Sequence, residues 1–374
     1  MTFKDLKLSE PLLRALQSVG YTTPTPIQQQ SITPILEGSD IFGCAQTGTG
    51  KTGAFLLPLL EQLQHNADKR NVKALILAPT RELAIQISDN FKEYAKHLSV
   101  TQATIFGGVS QFHQERELRK GVSVIIATPG RLLDLMDQGI VRLDKIEHFV
   151  LDEADRMLDM GFINDIKKVI AKLPKQRQTL FFSATASAPI MKLANSLLNN
   201  PVHVSVTPIS SAATLVDQSI YYVRKENKKL LLNHVLKSND VEHALVFTRT
   251  KKGADRVAKE LNKNGITCEA IHGNKSQGAR ERALQGFKTR KIRVLVATDI
   301  ASRGIDVDKL SHVINYEIPE QAETYVHRIG RTGRAGASGT ALSFCAKEEV
   351  KYMKDISKLI KQNITVVSSH PFVN

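Results

Sequence analysis

At 374 residues the chain is longer than one hydrophobic core usually serves, so two domains are expected. With 42% hydrophobic and 24% charged residues it reads as an ordinary globular protein. Three scattered cysteines, Cys44, Cys268 and Cys345, exclude a disulfide framework and a paired-cysteine zinc site, and no apolar run is long enough for a membrane span. Its 51 basic against 37 acidic residues leave +14 and favour a polyanionic partner; 23 against 20 fall before residue 210 and 28 against 17 from it onward, so the second half carries most of the excess. The N-terminus has no cationic start followed by an apolar stretch, and a cytoplasmic, reducing setting with no membrane is expected.

In chain order, Pro24-Thr25-Pro26 reads as a loop before a helix beginning near Ile27. Short apolar and β-branched runs then alternate with helical patterns, giving strands at 40–45, 72–78, 104–106, 122–127, 148–151 and 179–183. From Val206 to Thr214 the pattern dissolves into small and polar residues with one proline, a linker signal. Strands resume at 218–223, 243–247, 267–271, 293–297, 312–315 and 340–344, with helical stretches such as 253–262 between them and 348–361 after them. The expected division is a domain at 1–206, a linker at 207–214 and a domain at 215–374. Strands separated by helices predict parallel, doubly wound α/β sheets, in which ligands bind outside the carboxyl ends of the strands.

Two segments at such strand ends describe a nucleoside triphosphate site. In Ala45-Gln46-Thr47-Gly48-Thr49-Gly50-Lys51-Thr52, a glycine-rich turn lets backbone N–H groups close around phosphates, Lys51 reaches the terminal phosphates and the Thr52 hydroxyl suits magnesium. Ala45 stands where the strict pattern has glycine; only a small residue is required there. About a hundred positions later, His148-Phe149-Val150-Leu151 delivers Asp152 to the end of a strand, with Glu153 beside it to handle an attacking water. The second half is not a functional copy. After its strand 244–247 it has Thr248-Arg249-Thr250-Lys251-Lys252, with no glycine-rich turn, so one nucleotide is expected to serve both domains. What it offers instead is Tyr325-Val326-His327-Arg328-Ile329-Gly330-Arg331-Thr332-Gly333-Arg334, whose three evenly spaced guanidinium groups suit phosphate contact.

With these motifs in order from Phe3 to about Phe344, the chain resembles the DEAD-box ATP-dependent RNA helicases, most closely their RhlE-like bacterial branch. The resemblance implies two tandem RecA-like parallel-sheet domains joined by a short linker. It also implies ATP rather than GTP. Gly20-Tyr21-Thr22-Thr23-Pro24-Thr25-Pro26-Ile27-Gln28 is similar to the adenine-reading segment, in which Gln28 pairs with the base, and Phe3 stands where the family keeps a stacking aromatic; Tyr21 belongs to the same set. Gln46, Thr47, Gly48, Thr49, Gly50, Lys51 and Thr52 become the phosphate and Mg2+ contacts, Asp152 the metal-linked carboxylate and Glu153 the base. Ser183-Ala184-Thr185 resembles the segment coupling hydrolysis to strand separation. Gly304 and Asp306 resemble ribose contacts, Arg331 and Arg334 arginine fingers, and His327 and Arg328 interdomain contacts.

A second set resembles an RNA track that grips phosphates without reading bases. In the first domain it comprises Pro79, Thr80, Arg81, Gly107, Gly108, Thr128 and Arg131; in the second, Arg249, Gly273, Gln277, Arg280 and Thr298. Implied partners are RNA single strands and short duplexes, with ribosome-assembly or RNA-degradation machinery as further candidates, and a monomer is expected. No arginine- or glycine-rich tail follows the second domain, so sequence-specific RNA recognition is not expected. An ATP-gated RNA clamp and a DNA translocase of the same superfamily stay open on the sequence.

Overall fold

A computed structural model describes residues 1–46, 48–64, 71–206, 216–237, 241–302, 310–333, 339–362 and 364–372. The chain divides into two compact units, Met1–Thr207 and Pro208–Asn374. The expected linker, 207–214, lies outside the described residues.

The first unit is built on β1 (Ile41–Ala45), β2 (Ala74–Leu77), β3 (Gln102–Ile105), β4 (Val124–Ala127), β5 (His148–Leu151), β6 (Gln178–Ser183) and β7 (Val202–Val206), ordered β3-β4-β2-β5-β6-β1-β7 with parallel pairings throughout. Runs such as Ala-Leu-Ile-Leu in β2 and Val-Ile-Ile-Ala in β4 are buried along their whole length because helices cover both faces of the sheet. Alternation divides each strand between two core layers. Ile76, Val150 and Leu180 pack with Phe55 and Leu60 on one face, while Leu75, Leu77, Phe149 and Phe181 pack with Leu132 and Ile166 on the other.

The second unit repeats this plan with β8 (Val216–Tyr222), β9 (Ala244–Thr248), β10 (Cys268–Ile271), β11 (Val294–Thr298), β12 (His312–Asn315), β13 (Gly339–Cys345) and β14 (Thr365–Val366), ordered β10-β11-β9-β12-β13-β8-β14. The correspondence extends to register: Ala74 lies opposite Val124 and His148 as Ala244 lies opposite Val294 and His312. Strand order also corrects one expectation. β9 holds the place of β2, and β8 holds that of β1, so the counterpart of the phosphate loop is Val223-Arg224-Lys225-Glu226-Asn227-Lys228 rather than Thr248–Lys252. That segment has no glycine either, so the asymmetry between the halves stands.

Two edge strands, β7 and β14, fall outside the expected set, and β3 starts two residues earlier than expected. Among the described residues no helix is long and apolar enough to cross a membrane.

Candidate functional site

β1 lies second from the sheet edge and runs into Gly48 and Gly50, whose φ values of +87° and +94° only glycine adopts cheaply. The helix Lys51–Leu63 starts immediately after. A Cβ on Gly50 would fall 2.7 Å from both Gln28 Nε2 and Thr25 Oγ1. Gln28, 5% exposed, is the reason: its Nε2 donates to the Gly50 carbonyl at 3.1 Å, and its Oε1 accepts the Thr25 N–H at 2.9 Å. The residue expected to read adenine is thus also a brace of the phosphate loop. Thr49 Oγ1 closes the turn onto Gln46 O at 2.7 Å, and buried Lys51 donates Nζ to Ala45 O at 2.6 Å, which holds the ammonium at the mouth of the loop. Thr47 lies outside the described residues.

Across β6, β5 ends in the acidic pair. Asp152 and Glu153 are each 2% exposed. Glu153 takes a left-handed backbone (φ +52°) at the start of the helix Ala154–Asp159, and its N–H donates to Asp152 Oδ1 at 2.9 Å. Its own carboxylate accepts Arg156 Nη1 at 2.7 Å. Burial pushes the Asp152 carboxyl well above its ordinary value; Lys51 opposes this and Glu153 adds to it. A divalent cation at this carboxylate would favour its ionised form. The donors fit a hard cation: the Thr52 hydroxyl and the Asp152 carboxylate are oxygen ligands of the type magnesium takes. No group of three or more His, Cys, Asp or Glu suited to a metal occurs among the described residues, so phosphate oxygens and water would complete the shell.

Two residues to which the sequence assigns no role of their own, Asp155 at the end of the acidic Asp152-Glu153-Ala154-Asp155 motif and Arg156 after it, complete this corner. Asp155 Oδ2 accepts the Ala184 N–H at 3.1 Å, joining the acidic motif to Ser183-Ala184-Thr185, where the Thr185 N–H donates to Ser183 Oγ at 3.2 Å. Arg156 pins Glu153. Both could be read as acidic or basic residues of a short helix, and only the fold shows their partners. Of the aromatics, Phe3 is 4% exposed and sits in the core, whereas Tyr21 is 46% exposed with Tyr94 at 6.3 Å between ring centroids.

The first unit's track residues converge at the ends of the adjacent strands β2, β4 and β3. Pro79 is buried, and Thr80 caps the helix Arg81–Tyr94 by accepting the Leu83 N–H at 3.3 Å. A Cβ on Gly108 (φ +79°) would lie 2.2 Å from Arg81 Nη1, so the guanidinium lies against the Gly107-Gly108 turn. Thr128 precedes the helix Pro129–Asp137, from which Arg131 reaches the Val109 carbonyl at 3.5 Å and Asp134 at 3.3 Å. Gly108→Ala is expected to displace Arg81 and strain the turn. RNA affinity should fall about tenfold or more, measured by fluorescence anisotropy with a labelled oligoribonucleotide, while ATP affinity in the absence of RNA is unchanged.

In the second unit Lys251 does what Arg81 does in the first: it opens the helix Lys251–Lys263 behind a capping threonine, Thr250, and a Cβ on Gly273 would meet its Cε at 3.6 Å, with Nζ on Asn274 Oδ1 at 2.8 Å. The sequence carried this signal, a Thr-Lys pair after β9 matching Thr-Arg after β2. Arg249 is held by Glu320 (3.4 Å) and Glu349 (3.2 Å). Gln277 (4% exposed) bonds Glu281 at 3.0 Å, Thr298 is buried and Arg280 half-buried. Arg328, 2% exposed, is committed within this unit: to both Asp299 oxygens (2.5 and 2.8 Å), Asn315 Oδ1 and the Glu317 carbonyl, with its guanidinium 4.9 Å from the Phe247 ring centre. It braces the turn carrying Arg331, whose Nε donates to the His327 carbonyl at 3.3 Å. Gly304, Asp306 and Arg334 lie outside the described residues.

Comparison with known proteins places this geometry. The family described as DEAD/DEAH box helicase matches residues 25–193, and the helicase conserved C-terminal domain matches 226–336. The chain is 41% identical over 364 residues to the DEAD-box ATP-dependent RNA helicase CshA of Bacillus subtilis (strain 168), spanning 97% of this chain and 73% of that protein. To the RNA helicase CrhR of Synechocystis sp. it is 43% identical over 366 residues, 98% of this chain and 74% of the relative. Among solved structures it is similar to S. cerevisiae Dbp5 bound to RNA and ADP BeF3, with a TM-score of 0.90 and 30% identity over 98% of this chain and 95% of that one. Mss116p bound to ssRNA and AMP-PNP gives a TM-score of 0.90 at 29% identity, covering 99% and 80%.

Proposed function

The chain belongs to the DEAD-box family of ATP-dependent RNA helicases, and from that premise we propose how its two RecA-like units divide the work. The first unit holds ATP. Tyr21 offers a ring face to adenine and Gln28 its amide edge; the backbone from Gln46 to Gly50 and the Lys51 ammonium take the phosphates. Thr52 and Asp152 would hold Mg2+, which when bound neutralises charge on the phosphate oxygens. Glu153 orients and deprotonates the attacking water, with Arg156 fixing its carboxylate. Arg331 and Arg334 of the second unit supply positive charge to the transferring phosphoryl group, and Asp306 with Gly304 contacts the ribose.

RNA lies along Arg81, Gly107, Gly108 and Arg131 in the first unit and along Arg249, Gly273 and Arg280 in the second. Thr80, Thr128 and Thr298 shape the loops from behind, as do Pro79 and Gln277. Because each ligand is held by groups from both units, ATP and RNA each favour closure and so favour one another. Closure bends one strand of a short duplex and expels the other; hydrolysis then removes the bridging phosphate and RNA leaves. The bond from Asp155 to Ala184 is the path by which the acidic motif reports to Ser183 and Thr185, and His327 takes the same role beside the fingers.

The observation that carries this reading is the meeting of the Gly48–Gly50 turn, Lys51 and buried Asp152 and Glu153 at the carboxyl ends of β1 and β5, on the same side of the sheet as the Arg81 and Arg131 clamp. Steady-state ATPase with single-stranded RNA or DNA of identical sequence tests it, alongside release of a short RNA strand at saturating ATP. Stimulation by RNA alone together with strand release is expected. Equal stimulation by both polymers would favour a DNA translocase, and RNA stimulation without strand release a clamp. The RhlE-like placement, the cytoplasmic setting, the monomeric state and a role in ribosome assembly or RNA degradation rest on the family resemblance.

A further inference from the structure

The repeat of strand order assigns each residue near the nucleotide site a counterpart in the second unit. Lys228 opens the helix Lys228–Lys237 after β8, as Lys51 opens Lys51–Leu63 after β1. Tyr316 follows β12 directly, as Asp152 follows β5, and Ala346 follows β13, as Ala184 follows β6. Lys228 is 2% exposed, and its Nζ donates to the Tyr316 carbonyl at 2.8 Å and to Glu349 Oε2 at 2.5 Å. The ammonium therefore sits at the carboxyl ends of β8 and β12, the place equivalent to that of the Lys51 ammonium.

What it meets there is an anion supplied by the chain. Glu349, 3% exposed, receives Lys228 Nζ and the Ala346 N–H (2.9 Å) on Oε2, and the Ile318 N–H (3.2 Å) and Arg249 Nη2 (3.2 Å) on Oε1. One ammonium, one guanidinium and two backbone N–H groups are the donors by which proteins commonly hold a phosphate. Burial pulls the Lys228 ammonium below its ordinary value, and the Glu349 carboxylate opposes this. A cavity of about 340 Å3 opens onto this network, with Lys225, Lys252 and Arg256 on its wall.

We propose that the Glu349 carboxylate fills an oxyanion seat corresponding in position to the phosphate site of the first unit, that it keeps this seat closed to phosphate in the native protein, and that the emptied seat binds a phosphate-class oxyanion. The turn Val223–Asn227 has no glycine to wrap a polyphosphate chain, so the ligand class is a single oxyanion and not a nucleoside triphosphate. The chain then holds one nucleotide because its second seat is filled by its own carboxylate as well as lacking a loop.

The test is thermal unfolding of the full chain in potassium phosphate and in potassium chloride of equal ionic strength, for native protein, Glu349→Ala and Lys228→Met/Glu349→Ala. The phosphate loop of the first unit is common to all three, so its response cancels. Saturating phosphate is expected to raise the Glu349→Ala unfolding temperature by about 5 °C more than it raises that of the other two. An equal increment in all three overturns the proposal. If Glu349→Ala yields no folded protein in chloride, refolding in phosphate decides: recovery of folded Glu349→Ala in phosphate but not in chloride of equal ionic strength is expected, and no recovery in either overturns the proposal.

Discussion

Glu153→Gln is expected to lower ATP turnover by about two to four orders of magnitude while ATP affinity stays within a few-fold of native. The side chain is isosteric, so the left-handed backbone at φ +52° and the helix start keep their geometry. Its amide oxygen still accepts from Arg156 Nη1, which stands at 2.7 Å from the native carboxylate, so that guanidinium keeps an acceptor although it loses its counter-charge. What disappears is the basic oxygen that takes a proton from water. The effect on Asp152 runs in the helpful direction: Glu153 pushes the Asp152 carboxyl upward, so removing its charge favours the ionised, metal-binding form. Binding and chemistry should therefore separate. Equilibrium binding of a fluorescent ATP analogue gives the first quantity and single-turnover phosphate release the second. A turnover loss of less than about tenfold would remove Glu153 from the role of base.

The placement of Asp152 and Glu153 side by side at a strand end was legible because residue type and a strand end are both stated by local sequence. The same holds for the phosphate loop, where two left-handed glycines, a lysine and a threonine fall within the five residues Gly48 to Thr52. The second role of Gln28 was not legible: its bond to the Gly50 carbonyl joins positions 22 apart, and nothing in either segment specifies the approach. Arg328 is a sharper case. A guanidinium among evenly spaced arginines reads as one more phosphate contact, yet Asp299, Asn315 and the Glu317 carbonyl come from other strand ends and consume it. Edge strand β7 was legible in principle, since Val202, Val204 and Val206 alternate with polar residues, but the following small-residue stretch masked its end. The misplaced counterpart of the phosphate loop has a different origin. Strand order in a doubly wound sheet is set by crossovers, and counting strands along the chain does not reveal that β8 stands beside β13 and takes the place of β1.

Arg331→Ala is expected to lower ATP turnover by about three orders of magnitude or more, with ATP affinity little changed and RNA still bound. A guanidinium that meets charge only as the phosphoryl group transfers contributes to the transition state and not to the ground state, so the loss falls on kcat and leaves KM nearly untouched. The turn has anchors other than this side chain. Arg328 anchors one flank through Asp299, and Thr332 Oγ1 anchors the other by donating to the Leu310 carbonyl. Truncation should thus leave the unfolding temperature within a few degrees of native, which separates a chemical effect from a collapsed turn. Arg331→Lys sharpens the argument, because an ammonium keeps the charge and loses the planar fork; it should recover only a small part of the lost rate. If Arg331→Ala turns over ATP within about threefold of native at saturating RNA, the second unit supplies no finger from this position and the catalytic charge must come from elsewhere.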